Sequence, residues 1–449
     1  MSIFKAYDVR GLVDKEITAD FCFATGVAFA RFLQQEREPG TVVIGEDMRP
    51  SSPIFADAFS AGVTSQGFDV IRIGLASTDM LYFAAGKLNM PGAMFTASHN
   101  PAEYNGIKMC FSGARPIGKE SGLLTIEKFV TEGSPLELRS VGVERHQSMV
   151  EEYVDHLLTL VDLTTTRPLK VVIDAGNGMA GYTAPAVFKR LNFEVIEMYF
   201  ELDGTFPNHE ANPIDPKNLA DLAKAVKKHK ADIGLAFDGD ADRCFLVDEK
   251  GDLVNPSALT ALIADRALAT DPGSTIIYNL ISSRSVREVV EENGGTAVRS
   301  RVGHSYIKKL MAETGAIFGG EHSGHFYFRD FWRADSGMLA ALHALAALSE
   351  SKGTLSQLLE TYNRYSSSGE INSVVKDADA VMKKIEDFYL STGSVTTDHL
   401  DGLTVDSADW WFNVRASNTE PLLRLNVEAT TKSLMEKVRT QVLALISGK

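Results

Sequence analysis

Three aspartates stand at alternate positions in Phe237-Asp238-Gly239-Asp240-Ala241-Asp242-Arg243, directly after the strand-like run Ala231 to Ala236. Small residues between them let the loop turn all three carboxylates inward around one hard cation, which takes oxygen ligands. An EF-hand is excluded on two counts. The sixth position from Asp238 is Arg243, where that loop needs glycine, and Phe245-Leu246-Val247-Asp248 reads as a strand where a helix is required. A phosphatase loop of the haloacid-dehalogenase type, Asp-x-Asp-x-Thr, is a near miss, because Asp242 takes the place of the threonine. An open metal site short of ligands remains.

Three more polar clusters carry chemistry. Thr96-Ala97-Ser98-His99-Asn100-Pro101 follows the apolar Ala93-Met94-Phe95 and sets a hydroxyl at a strand end; taken alone it is also a turn whose Ser and Asn bond their own backbone. Asn105-Gly106-Ile107-Lys108 and Tyr7-Asp8-Val9-Arg10-Gly11 offer cations for that hydroxyl. Gly319-Gly320-Glu321-His322-Ser323-Gly324-His325 gathers a carboxylate, two imidazoles and a hydroxyl on a backbone open to close approach, which suits a polyol. Upstream, His304 of Arg301-Val302-Gly303-His304 can act as a general acid or base, or lie in a solvated turn. Arg415-Ala416-Ser417-Asn418-Thr419-Glu420-Pro421, with Arg424 nearby, concentrates donors for a phosphate dianion, or forms a hydroxyl-rich hairpin turn.

The elements that must hold these loops repeat three times. Strand-like runs at Thr41 to Gly45, Leu169 to Ile173 and Thr275 to Leu280 are each followed by a helical stretch and a closing strand, ending near Gly74, Tyr199 and Val298. Apolar β-branched runs alternating with amphipathic helices predict α/β units with helices covering each sheet. After Ser373 the pattern changes. A helix from Ala378 to Tyr389, short strands at Val395–Asp398, Leu403–Asp406, Trp410–Arg415 and Leu422–Ala429, and a helix from Lys432 to Ile446 predict a smaller α+β domain with an antiparallel sheet. Polar joins are expected at Val141 to Gln147, Glu249 to Asn255 and Ser366 to Glu370, giving domains 1–145, 146–252, 253–368 and 369–449 around a central cleft.

The chain of 449 residues is too long for one small module, and 44% hydrophobic with 23% charged residues is ordinary globular usage. Lys and Arg number 45 against 59 Asp and Glu, a net charge of −14 with no basic run, which argues against a nucleic-acid partner. Three scattered cysteines, Cys22, Cys110 and Cys244, fit a reducing compartment better than a disulfide framework. The N-terminus has no apolar core of signal-peptide length, and the apolar stretch from Met338 to Leu348 is too short for a membrane span, so no membrane partner and a cytoplasmic location are expected.

Taken in order, the four clusters resemble the α-D-phosphohexomutase superfamily, and within it the bacterial phosphomannomutase/phosphoglucomutase branch, over essentially the whole chain. Tyr7 to Gly11, Gly45-Glu46-Asp47-Met48-Arg49-Pro50-Ser51-Ser52 and Phe206-Pro207-Asn208-His209 agree as well. The resemblance implies three similar α/β domains with mixed sheets plus a smaller α+β domain. It implies a phosphosugar partner and an exchange of hexose 1-phosphate and hexose 6-phosphate, of mannose or glucose. Ser98 would carry a phosphoryl group whose oxygen joins Asp238, Asp240 and Asp242 on Mg²⁺. A hexose 1,6-bisphosphate would be both intermediate and activator. Proton transfer would fall to Lys108 and Arg10, with His325 close behind and His304 also within reach. Substrate contacts are expected from Tyr7, Arg243, Gly303, Glu321, Ser323, Arg415, Ser417, Asn418, Thr419 and Arg424. Two positions depart from the pattern: Ile281 stands where some relatives place a lysine, and His322 fills the variable position of Gly-Glu-x-Ser-Gly-His, where an amide often accompanies glucosamine mutases. The alternatives are a phosphoglucosamine mutase, a metal-dependent sugar phosphatase and a non-enzymatic sugar-phosphate-binding protein.

Overall fold

The computed structural model describes residues 2–133, 140–164, 167–416 and 422–448. The chain forms two compact units, Met1–Val254 with Ser323–Leu358, and Asn255–His322 with Leu359–Lys449.

In the first unit a six-stranded sheet runs in the order Val9–Leu12, Tyr104–Cys110, Gly92–Phe95, Thr41–Glu46, Asp69–Leu75, Glu144–His146. Its central strands are buried along most of their length, as expected where helices cover both faces. The helices Ala19–Gln35 and Ser52–Ser65 pack against each other through paired glycines. A Cβ on Gly26 would lie 2.2 Å from the Phe59 carbonyl oxygen, and one on Gly62 2.2 Å from that of Phe23. The second sheet orders Cys244–Asp248, Ile233–Phe237, Lys170–Asp174 and Glu194–Met198, with the first pair antiparallel and the others parallel.

A buried carboxylate ties three helices of this unit together. Asp79, in the first turn of Thr78–Leu88, accepts hydrogen bonds from Ser77, from the Tyr153 hydroxyl (2.7 Å) in the helix Val150–Leu160, and from Ser336 (2.6 Å), the N-cap of Gly337–Glu350. Burial nevertheless pushes its pKa up to about 6.

In the second unit the strands Thr296–Ser300, Thr275–Asn279 and Phe318–Gly320 are parallel, and the helix Pro256–Thr270, capped by the Asn255 side chain, lies against them. The C-terminal domain is an antiparallel sheet in the order Ser366–Val374, Leu422–Ala429, Trp410–Ala416, Leu403–Asp406, Thr396–Asp398. The helices Ala378–Ser391 and Lys432–Ser447 close its core over Ile385, Phe412, Leu425 and Val442.

The four-domain α/β architecture with mixed sheets and a C-terminal antiparallel domain is present. Two segments differ: Val141 to Gln147, expected as a polar join, holds the short exposed strand Glu144–His146, and Ser366 to Glu370, also expected as a join, begins the strand Ser366–Val374. It is an edge strand with a register shift between Ser367 and Glu370, and no residue of it is fully buried. With little apolar surface to bury, it carries no hydrophobic alternation to mark it.

Candidate active site

The strand Gly92–Phe95 leads into the Ser98 loop, and the antiparallel strand Tyr104–Cys110 returns beside it with Lys108 opposite Met94. Ser98 adopts the left-handed backbone conformation, φ 50°, uncommon outside glycine. Its N–H donates to Thr96 Oγ1 at 2.9 Å, and its Oγ donates to Asp238 Oδ2 at 2.8 Å. Asp238 to Arg243 is the tip of the hairpin formed by Ile233–Phe237 and Cys244–Asp248. That tip approaches the serine backbone closely: a Cβ on Gly239 would sit 2.4 Å from the Ser98 carbonyl oxygen. Only glycine admits this contact.

All three aspartates are buried, at 0–1% exposure, and their ligand oxygens lie within 4.8 Å of one another. Lys108 Nζ donates to Asp240 Oδ2 at 2.7 Å and to Asp242 Oδ2 at 2.6 Å, while Thr78 Oγ1 donates to Asp240 Oδ2 at 2.6 Å. Asp240 Oδ1 and Asp242 Oδ1 are buried without a hydrogen-bond donor. Two orphaned carboxylate oxygens beside a third carboxylate and a serine hydroxyl are the hard donor set that Mg²⁺ takes. A second trio, Asp242, His325 and Asp335, is equally close but brings an imidazole, which suits a softer ion.

Burial and repulsion from Asp242 and Asp240 push the Asp238 carboxyl well above its ordinary pKa. The same burial acts on Asp240 and Asp242, but the Lys108 ammonium outweighs it and holds both below the usual carboxylate range. Burial acts against the charge on Lys108 too, and the two carboxylates overcome it, keeping the ammonium protonated well beyond its normal range.

Around this core stand the other expected residues of the first unit. His325 Nε2 lies 3.6 Å from Asp242 Oδ1 and 4.0 Å from Asp335 Oδ2, and its Nδ1 is 2.9 Å from Ser323 Oγ. Arg243 sits 3.3 Å from Asp238 in an ion pair, and its NH2 is 2.6 Å from His99 Nδ1, which is itself 3.2 Å from Ser98 Oγ. Burial and the positive charges of Arg243 and Arg10 push the His99 imidazole well below its usual pKa. Arg10 pairs with Asp8 and donates to Asn100 Oδ1 at 2.5 Å. Tyr7 is half-buried in the bend before Val9.

The second unit brings together a different set. The Gly303 N–H donates to Glu321 Oε1 at 3.1 Å, just before the helix His304–Thr314. Arg415 NH2 reaches Glu370 Oε2 at 2.7 Å and Arg424 NH1 reaches Glu370 Oε1 at 3.4 Å, so two guanidiniums converge on one carboxylate. Ser417, Asn418 and Thr419 lie outside the described residues, and so does the side chain of His304.

Sequence reasoning assigned no part to several residues of these clusters. Thr78 and Asp335 were hidden in ordinary helix-start patterns, Ser77-Thr78-Asp79 and Asp335-Ser336-Gly337. Glu370 closes the polar stretch Ser366 to Glu370, which reads in the sequence as a join between domains. His99 and Asp8 had a signal, since each is a neighbour of a residue already singled out.

Four sequence-family models match the chain in succession: phosphoglucomutase/phosphomannomutase alpha/beta/alpha domain I over residues 1–136, domain II over 151–251, domain III over 255–365, and the C-terminal domain over 370–445. A protein of Xanthomonas campestris pv. campestris named for phosphohexose mutases is 41% identical over 440 residues, 98% of this chain and 97% of its own. A phosphomannomutase of Vibrio cholerae is 39% identical over 438 residues, 96% of this chain and 94% of its own. The crystal structure of a phosphoglucomutase/phosphomannomutase family protein from Burkholderia thailandensis, 32% identical, matches with a TM-score of 0.90 over 99% of this chain and 97% of that one.

Proposed function

This chain belongs to the phosphoglucomutase/phosphomannomutase family and is a phosphohexomutase, and we propose that it works through a phosphoserine at Ser98 on the phosphates of mannose and glucose. The observation that carries this reading is the Ser98 hydroxyl set 2.8 Å from Asp238, beside two further buried carboxylates and Lys108.

Asp238, Asp240 and Asp242 would hold Mg²⁺, which supplies a Lewis acid for the transferring group when bound. The chain does the rest. A free sugar hydroxyl attacks the phosphorus on Ser98; the bond from phosphorus to Ser98 Oγ breaks as the one to the sugar oxygen forms, giving the 1,6-bisphosphate. The sugar turns over, and its other phosphate returns to Ser98. Positive charge from Lys108, Arg10 and Arg243 offsets the charge that spreads over the equatorial oxygens. Ranked on sequence, Lys108 and Arg10 came first for the sugar proton. We assign it instead to His325 Nε2, because an ammonium held charged by two carboxylates has no lone pair to offer, whereas Asp242 and Asp335 both lie within reach of an imidazolium. Arg415, Arg424, Ser417, Asn418 and Thr419 hold the phosphate that is not being transferred, while Gly303, Glu321, Ser323 and Tyr7 contact the sugar. A cytoplasmic setting goes with this reading, since three widely separated cysteines fit a reducing compartment.

Incubation with glucose 1,6-bisphosphate should add one phosphoryl group to the intact mass of the wild type and none to Ser98→Ala. A phosphorylated mass on Ser98→Ala would overturn the assignment. Release of free phosphate in place of exchange between 1- and 6-phosphates would favour a phosphatase.

A further inference from the structure

Two motifs of the chain have no chemistry assigned to them: Gly45 to Ser52 and Phe206 to His209. They meet at Arg49, in the turn between the strand Thr41–Glu46 and the helix Ser52–Ser65. Its side chain is buried, and four of its N–H groups go to backbone carbonyls of the Ser98 loop and of Tyr104, where the next strand begins. NH2 donates to Ser98 O at 2.9 Å and to Asn100 O at 2.7 Å; NH1 donates to Pro101 O at 2.9 Å and to Tyr104 O at 3.0 Å. Nε lies 3.2 Å from Asp47 Oδ2 in a fully buried ion pair, and Asp47 Oδ1 accepts from Ser52 Oγ at 2.6 Å. The Phe206 ring covers the guanidinium, 5.0 Å from centroid to Cζ, and a Cβ on Gly204 would meet Arg49 Cα at 2.6 Å. The guanidinium is fully buried, with its terminal N–H groups all taken by the chain's own carbonyls.

We propose that Arg49 is a positioning residue for phosphoryl transfer, holding the Ser98 loop by four carbonyl oxygens beneath the Phe206 ring. The inference rests on the reading that Ser98 carries the phosphoryl group. Arg49 grips the serine's own carbonyl, which is also the atom against which Gly239 of the metal loop packs. It thereby fixes both the left-handed serine and the distance from its Oγ to the three carboxylates. A planar fork serves four carbonyls at once while its charge pairs with a buried carboxylate; a lysine ammonium has three donors radiating from a single point.

The test is the single-turnover rate of Ser98 phosphorylation by glucose 1,6-bisphosphate, read beside the calorimetric Kd for glucose 6-phosphate, in wild type, Arg49→Lys, Arg49→Met and Phe206→Leu. Misplacement of a nucleophile by about 1 Å costs on the order of 100-fold, so Arg49→Met should transfer roughly 100-fold and Arg49→Lys roughly 10-fold or more slowly, with Kd changed less than about threefold. Phe206→Leu keeps every hydrogen bond of the fork and should show a smaller loss of the same kind; it carries the test if the Arg49 variants do not fold. Wild-type transfer rates in Arg49→Lys or Phe206→Leu would overturn the proposal. So would a weakening of Kd in proportion to the rate, the mark of general damage. Failure of the wild type itself to become phosphorylated would instead refute the phosphoserine reading.

Discussion

Replacing Lys108 by Met removes one charge and two hydrogen bonds from the centre of the transfer site while keeping most of the side-chain volume. It leaves Asp240 and Asp242 buried with no ammonium beside them. Removing one partner of a buried ion pair costs about 3–5 kcal/mol. For a large unit, near the lower end of roughly 2–4 °C per kcal/mol, that corresponds to a loss of about 6–10 °C in Tm. The loss should be largest in chelator. Lys108 Nζ and an incoming cation draw on the same carboxylates, so Mg²⁺ supplies the variant with the charge it lacks and binds it without a competitor. Scanning calorimetry of both proteins in EDTA and in saturating Mg²⁺ should therefore show a gap that at least halves when metal is added, by the ordinary linkage of binding to stability. Exchange activity should fall even where stability recovers, because the charge beside the transferring group is gone. Equal Tm values in EDTA, or a gap that metal leaves untouched, would refute the argument.

Two further expectations concern the scaffold. Asp79 titrates near 6 in the fold against an ordinary value of 3.8, so the folded state binds the extra proton and stability falls as pH rises from about 4 through 6, then levels. The shift is worth roughly 3 kcal/mol, and chemical denaturation of Asp79→Asn should lack that slope; parallel pH profiles would count against it. Gly26→Ala drives a methyl into the Phe59 carbonyl and should cost about 1–3 kcal/mol or more, whereas Gly40→Ala, with open space around it, should be close to neutral in the same urea titration.

How much of this was legible in advance depended on whether a residue's task was local. The Asp238 loop and the Ser98 loop announced themselves because the three aspartates stand at alternate positions of one short run and each loop directly follows an apolar strand. The strands and helices of the C-terminal domain were legible for a similar reason, since each buries one face and carries that face's period. The edge strand Ser366–Val374 only half-buries one face, with Ile371 against the core, and so left little pattern. Arg49, Asp79 and Asp335 escaped for another reason. Their partners lie 49, 74 and 93 positions away, at Ser98, Tyr153 and Asp242, and no spacing rule reaches that far.

The Asp79 hub bears on how such a chain can be inherited. The family divides it into segments, yet one carboxylate from the first segment takes its donors from Tyr153 in the second and Ser336 in the third. A recombinant that joins segments from two relatives receives a working hub only if all three positions match. Crossovers at the segment borders are therefore filtered by three residues, one from each of three segments, and the first segment cut out alone would keep a buried acid stripped of two of its three donors.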